Sequence, residues 1–356
     1  MRRALAFGSL FALHALCGVT GTPSSAGYWT SACLTPDGSE LALGGDRTAW
    51  VDVATGRITP GHRHDHDAVV CPPDGRALGL GSRGATVLHT DATEPGSGLH
   101  PWTVVGVRSR GELVLTLRTA ERNRSTLEYR EPRRFAVATD HGVRAEAIVL
   151  SPAALGLTDP APSVLSPPIG LLGDGQVLVA AGSTQGTDSS AHFDIGPWRF
   201  HRVDPSTGDA VPVGPERPSR RAAYLRYFDA GATVPSGDLA AVAWRGDGDG
   251  SLEVFETEQV ERRCEAPTGD REVEALAFDP AGARLAMAVT SAGGQRARVR
   301  VIDTADCRTV YEGPEREGRV FFVAFLPDGG SLWARSDQRV ERASATGELI
   351  YSVAAE

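Results

Sequence analysis

Short runs of apolar and β-branched residues recur along this chain, and each run ends in a cluster of Gly, Pro, Asp or Ser. Seven five-residue segments that end in Gly separate such runs, at 34–38, 71–75, 107–111, 171–175, 233–237, 278–282 and 325–329. In LTPDG and FLPDG, Pro presets φ, Asp bonds the local backbone, and Gly accepts the left-handed conformation. The pattern predicts a tight hairpin at each segment, joining two strands that we call a and b.

A second turn signal follows several of these hairpins. The segment VDVATG at 51–56 is matched by VDPSTG at 203–208, with weaker versions at 302–306 and 345–347. Each version ends a third strand, c, and turns into a fourth strand, d. The repeating unit is therefore four antiparallel strands.

The spacing of the hairpins predicts the fold class. Successive segments start 37, 36, 64, 62, 45 and 47 residues apart, and a period of about 40–45 residues is typical of four-stranded propeller blades. The sequence therefore predicts an all-β protein, a seven-bladed β-propeller of four-stranded antiparallel blades. The expected blades are 28–63, 64–99, 100–149, 163–214, 218–266, 272–312 and 319–356.

The repeat resembles that of bacterial WD-repeat-like β-propellers over nearly the whole chain beyond its N-terminus. Gly61-His62 stands where that family has a Gly-His pair, and PDG at 73–75 follows at the family's spacing. Val-Asp at 51–52 and 203–204 takes the place of the family's Trp-Asp. The resemblance implies the propeller architecture and assigns no particular activity.

The N-terminus has the composition of a secretory signal. Two arginines precede an apolar run over 4–16, which is too short to span a membrane, and small residues follow. We expect a signal peptide at 1–26 and a single propeller domain at 27–356, exported to the periplasm or the medium. The alternative is lipid attachment at Cys17, which the bulky Leu16 before it disfavours.

The charge balance disfavours one class of partner. The formal net charge is −9 and no basic tract stands out, so a nucleic-acid partner is not expected. No segment beyond the N-terminus is apolar enough to cross a bilayer. A protein, a peptide or an envelope component is therefore the expected partner.

The two ends of a blade carry different connections. One end holds the a–b and c–d turns, and the other holds the b–c loops and d–a crossovers; we call the latter the b–c/d–a face. The extra length of this chain lies there, in expected b–c loops at 183–196 and 245–250 and in a crossover at 149–162. Because binding residues concentrate on loops held by a rigid scaffold, we expect this face to bind the partner.

The polar side chains of these loops are the candidate binding residues. They are His62, His64, His66, Asp188, His192, Asp194, Asp247 and Asp249. Three alternating histidines suit a divalent transition metal, yet alternate side chains of a strand lie about 7 Å apart, too far to hold one ion without a bend. GDGDG at 246–250 lacks the further acidic ligands of a calcium loop. We therefore expect solvated loops and no cofactor.

Catalytic machinery is hard to find in the sequence. It holds no G-x-S-x-G elbow, no P-loop and no G-x-G-x-x-G between a strand and a helix. Propeller lactonases place acids with Asn or His around the axis, whereas this chain has a single Asn, Asn123. The sequence favours a binding or scaffold module, with a lactonase-like, metal-dependent hydrolase as the alternative.

Four cysteines remain beyond the signal segment, an even number that suits an oxidising compartment. Cys33 and Cys71 lie at similar heights on strands a of neighbouring blades, one residue apart in register, so we predict a disulfide between them. Cys264 is expected late on strand d of blade five and Cys307 at the start of strand d of blade six. These positions are near opposite ends of the propeller, so we predict that they do not pair. The alternative is that all four are small buried hydrophobes.

Overall fold

The structure is a computed structural model. It describes residues 29–61, 68–71, 77–81, 84–87, 102–107, 113–117, 133–139, 142–143, 148–150, 155, 163–165, 168–187, 192–218, 220–223, 230–244, 250–269, 271–291 and 295–354. Within these ranges the strands form seven antiparallel sheets, which follow one another along the chain.

The first three sheets come from the N-terminal part of the chain. Blade 1 contains β1 (Trp29–Leu34), β2 (Glu40–Gly45), β3 (Ala49–Asp52) and β4 (Ile58–Pro60). Blade 2 contains β5 (Ala68–Val70), β6 (Leu78–Gly81) and β7 (Gly84–Val87). Blade 3 contains β8 (Trp102–Val107), β9 (Leu113–Leu117) and β10 (Arg133–Thr139), whose outer edge pairs with β11 (Gly142–Val143) and β12 (Ile148–Leu150).

The remaining four sheets include the largest one. Blade 4 contains β13 (Ser163–Leu165), β14 (Gly170–Leu171), β15 (Val177–Thr187), β16 (His192–Val203), β17 (Ala210–Arg217) and β18 (Arg220–Ala223). Blade 5 contains β19 (Ala230–Thr233), β20 (Leu239–Trp244), β21 (Gly250–Glu256) and β22 (Glu261–Gly269). Blade 6 contains β23 (Glu272–Phe278), β24 (Arg284–Thr290), β25 (Arg296–Asp303), β26 (Thr309–Glu312) and β27 (Arg316–Glu317). Blade 7 contains β28 (Val320–Phe325), β29 (Ser331–Arg335), β30 (Arg339–Ala343) and β31 (Leu349–Ala354).

The sheets stand side by side in a ring. The inner strand of each sheet contacts the inner strand of the next, in the order β1, β5, β8, β14, β19, β23 and β28, and β28 contacts β1 again. Apolar side chains fill the spaces between neighbouring blades; Phe200 of blade 4, for example, lies 4.8 Å from Phe255 of blade 5, centroid to centroid. The chain is an all-β propeller, as the sequence predicts.

Five of the seven predicted a–b hairpin turns are described and are closed by their glycines, whereas the turns predicted at 71–75 and 107–111 lie, except for their first residues, outside the described residues. The Gly38 N–H donates to the Thr35 carbonyl at 2.8 Å with a φ of +72°, and Gly282 donates to Asp279 at 2.9 Å with a φ of +70°. A non-glycine residue rarely adopts this backbone conformation. In blade 6, the buried Thr304 hydroxyl of the c–d turn also donates to the Gly282 carbonyl at 2.6 Å. The a–b and c–d turns are therefore joined at one end of the blade.

Blade 7 closes on blade 1 through side chains, because each of the two sheets is completed by its own four strands. Leu326 of blade 7 and Leu34 of blade 1 belong to one buried cluster. The Val53 carbonyl of blade 1 accepts hydrogen bonds from Arg342 Nη1 at 2.8 Å and from the Tyr351 hydroxyl at 3.1 Å. Packing and these polar contacts hold the seam.

The disulfide predicted between Cys33 and Cys71 is confirmed, with the two Cα atoms 5.7 Å apart. It joins β1 to the residue after β5, and Cys33 is buried against Trp50 and Val69. Strand a of blade 1 is thus covalently tied to strand a of blade 2.

The prediction that Cys264 and Cys307 do not pair is wrong. They form a disulfide between blades 5 and 6, with Cα atoms 5.6 Å apart. Strand β22 continues to Gly269, so Cys264 lies near the start of the strand, at the same end of the propeller as Cys307. Cys307 has a φ of +57°, in a turn position that glycine holds at Gly56 in blade 1.

Candidate functional site

The b–c/d–a face is described only in part. His62, His64, His66, Asp188, Asp247 and Asp249 lie outside the described residues. The other two candidates, His192 and Asp194, lie at the start of β16, on the b–c side of blade 4. The histidine cluster at 62–66 thus remains a sequence prediction, whereas blade 4 can be built from its strands upward.

The expected loop at 183–196 is mostly strand, which corrects the sequence interpretation. Strand β15 continues to Thr187 and β16 begins at His192. Two short strands pair with the far ends of this hairpin: β13 with β15, and β18 with β16. We call the sheet of β13, the far ends of β15 and β16, and β18 the blade-4 extension. Its extra edge strands supply backbone hydrogen bonds that an isolated hairpin lacks.

The register pairs polar residues of neighbouring strands in the extension. Asp194 is paired with Gln185 of β15 on one side and with Arg221 of β18 on the other. The backbone pairing thus places Asp194 between Gln185 and Arg221 in the sheet, two positions from His192 along β16.

Ion pairs cover the same end of blades 6 and 7. Arg319, just before β28, lies 2.6 Å from Glu274 and 3.5 Å from Glu272, both at the start of β23. The Glu315 carboxylate, in the crossover between these blades, lies 3.2 Å from Arg271 and 3.4 Å from Arg296. These ion pairs connect neighbouring blades at the end where the inner strand of each blade begins. They give this part of the face a mixed and nearly balanced charge.

Two buried glutamates lie beneath the same face. Glu341 of β30 is 3% exposed; it accepts hydrogen bonds from Arg335 Nη1 at 2.9 Å and from Trp333 Nε1 at 3.1 Å. Glu253 of β21 is 6% exposed and lies 2.5 Å from Arg217 of blade 4. Both carboxylates are paired within the protein, so they fix the scaffold rather than offer free ligands.

Two of the perturbed acid groups lie away from this face. The Thr35 hydroxyl holds the pKa of Asp37 below its usual range, and the Thr55 hydroxyl does the same for Asp52. These aspartates stabilise a–b and c–d turns at the opposite end of the blade. His201 is buried on β16, and burial lowers its pKa against the opposing effect of its hydrogen bonds to backbone carbonyls. In the described ranges, these shifts have structural explanations.

The described ranges contain no group of three or more His, Cys, Asp or Glu residues placed to hold a metal ion. Nor does any helix within them have the length and apolar character needed to cross a membrane. What the described part of the face offers is a projecting sheet edge and paired charges.

Sequence reasoning did not identify the arginines of this face. Arg221 enters the blade-4 extension through β18, and Arg319 joins blade 7 to blade 6. The adjacent pair Arg220-Arg221 was the available signal for the first of them. The position of Arg319 is harder to infer, because the two carboxylates that it contacts are about 45 residues away in the chain.

Comparisons with known proteins show the fold alone. No model of a known protein family matches the chain, and no curated protein matches it. A solved chain of hydrazine synthase from Kuenenia stuttgartiensis is 14% identical with a TM-score of 0.54; the alignment covers 94% of this chain and 98% of that one. The Cps50 (Swd1) β-propeller domain of Myceliophteria thermophila is 10% identical with a TM-score of 0.56, over 88% of this chain and 95% of that one.

Proposed function

We propose that this β-propeller is an exported binding module that engages a protein, peptide or envelope component through its b–c/d–a face. The fold supports a generic scaffold or binding role, and the two disulfides are typical of an oxidising compartment. The export signal at 1–26 and the single domain at 27–356 belong to the same proposal.

The blade-4 extension is the observation that carries the proposal. Strand β16 has 12 residues and β25, the matching strand of blade 6, has 8. The difference of four residues makes the β16 strand roughly 14 Å longer at about 3.4 Å per residue. A rigid element that projects from one face presents contact area at a low entropic cost of binding.

Site-specific cross-linking tests which face binds. A photo-reactive amino acid replaces His192 on the extension in one variant and Asp306, on a c–d turn at the opposite end, in the control. After exposure to the envelope fraction of the producing cells, we expect adducts from position 192 and none from position 306. Adducts from position 306 alone would contradict the chosen face.

Two further measurements test the rest of the proposal. N-terminal sequencing of the exported protein should begin at Gly27; a lipid-modified Cys17 at the new N-terminus would show membrane attachment instead. Elemental analysis of the purified protein separates binding from hydrolysis. A stoichiometric bound metal would support the hydrolase alternative, with His62, His64 and His66 as the first ligands to substitute.

A further inference from the structure

The outer edge of blade 7 differs from the outer edges that are described for blades 1, 3, 4, 5 and 6. Strand β31 pairs with β30 along one side, and its other side has no strand partner among the described residues. Its sequence, Leu-Ile-Tyr-Ser-Val-Ala, contains neither a charged residue nor a proline. Six residues of unpaired edge present backbone N–H and C=O groups over about 20 Å.

The outer strands of blades 1, 4, 5 and 6 carry features that prevent edge-to-edge pairing. These features are Pro60 in β4, Pro212 and Pro215 in β17, Pro267 with Glu261, Arg262, Arg263 and Glu265 in β22, and Glu312 in β26. In blade 3 the outer strands are only two and three residues long. Strand β31 has six residues and contains neither a proline nor a charged residue, although its pairing with β30 shifts by a bulge at Ile350.

Strand β31 is also anchored by side chains that pack against the interior of the protein. Tyr351 and Val353 pack against the buried cluster between blades 7 and 1, and Tyr351 donates to the Val53 carbonyl. Leu349 and Ile350 remain 43% and 51% exposed. The edge is thus rigid on its inner side and apolar where it is open, an arrangement that reduces the entropy lost when a segment pairs with it.

The net charge of the protein distinguishes between two possible occupants of this edge, a second copy of the chain and a segment of another protein. A second copy of the chain would bring together two molecules that each carry a formal charge of −9, which opposes association. Glu348 is exposed directly before the strand. A segment of another protein with a Lys or Arg at that position gains an ion pair instead.

We propose that β31 binds an extended, β-branched segment of a partner protein by strand addition, with a basic residue of that segment next to Glu348. Backbone hydrogen bonds along the edge provide the affinity, and the exposed Leu349 and Ile350 contact side chains of the added strand. This surface lies on the rim of the ring. It does not depend on the function proposed for the b–c/d–a face.

A synthetic peptide tests the proposal. The probe is a short chain of alternating valine and threonine with a lysine at each end, added to the full-length protein. We expect slower amide hydrogen exchange in 349–354 and no change in the outer strands of blades 5 and 6. Ile350→Lys should weaken the peptide Kd by roughly tenfold or more, because it adds a like charge to the edge. Val310→Lys, on the outer strand of blade 6, is the matched control and should leave the Kd unchanged.

Three results would overturn the proposal. The first is an unchanged exchange rate in 349–354 at saturating peptide concentration. The second is equal weakening by Ile350→Lys and Val310→Lys. The third is a dimer in sedimentation equilibrium that Ile350→Lys dissociates, which would show that a second copy occupies the edge. Both side chains are exposed, so each variant should keep the melting temperature of the parent protein.

Discussion

The disulfide between blades 5 and 6 allows a test of how one turn stores strain. Cys307 holds a left-handed turn position with a φ of +57°, where blade 1 has Gly56 at +73°. In both turns, this residue donates its N–H to the carbonyl four residues earlier. We compare two double variants that both lack the bridge. One is Cys264→Ala with Cys307→Ala, and the other is Cys264→Ala with Cys307→Gly.

Two free-energy terms set the expected result. The bridge closes a loop with a sequence separation of 43 residues, and the chain-entropy relation assigns such a bridge about 4 kcal/mol of stabilisation. The left-handed conformation costs a non-glycine residue about 1 kcal/mol or more relative to glycine. Both variants should therefore be less stable than the parent, and the Gly variant should retain about 1 kcal/mol more than the Ala variant.

Differential scanning calorimetry of the oxidised proteins measures the order. The disulfide between Cys33 and Cys71 stays intact in the parent and in both variants, so the three proteins differ only at positions 264 and 307. We expect the melting temperature to fall from parent to Gly variant to Ala variant. An Ala variant at least as stable as the Gly variant would refute the strain argument. A parent-like melting temperature in both variants would refute the cross-linking argument.

Further predictions concern blade 7. Glu341→Ala should destabilise the protein by about 3 kcal/mol in thermal unfolding, because it removes the buried carboxylate that pairs with Arg335 Nη1 and leaves Arg335 only its ion pair with Asp337; the exposed Glu348→Ala is the control. Tyr351→Phe should cost about 1 kcal/mol, because it removes the hydrogen bond to Val53 across the seam. Burial raises the pKa of Tyr351 from 10.0 to about 12. The folded state thus holds this proton more tightly, so stability should fall as pH rises from 10 to about 12, and less steeply in Tyr351→Phe.

Local turn chemistry explains why the architecture was predictable. A glycine such as Gly38 or Gly282 signals its left-handed turn through residue type alone, and the apolar runs on either side identify the strands. The pairing of Cys33 with Cys71 followed, because both lie a few residues before such a turn. The sequence by itself thus determined the propeller class, the hairpins and one inter-blade disulfide.

Tertiary structure decided the features that depend on partners distant in sequence. Strand β22 continues past the expected end of strand d because it pairs with β21 up to Gly269, and that length places Cys264 beside Cys307. The hairpin at His192 is strand because β13 and β18 supply its edges. The open edge of β31 exists only relative to the ring around it. Strand length and edge exposure result from hydrogen-bond partners, which residue type alone does not specify.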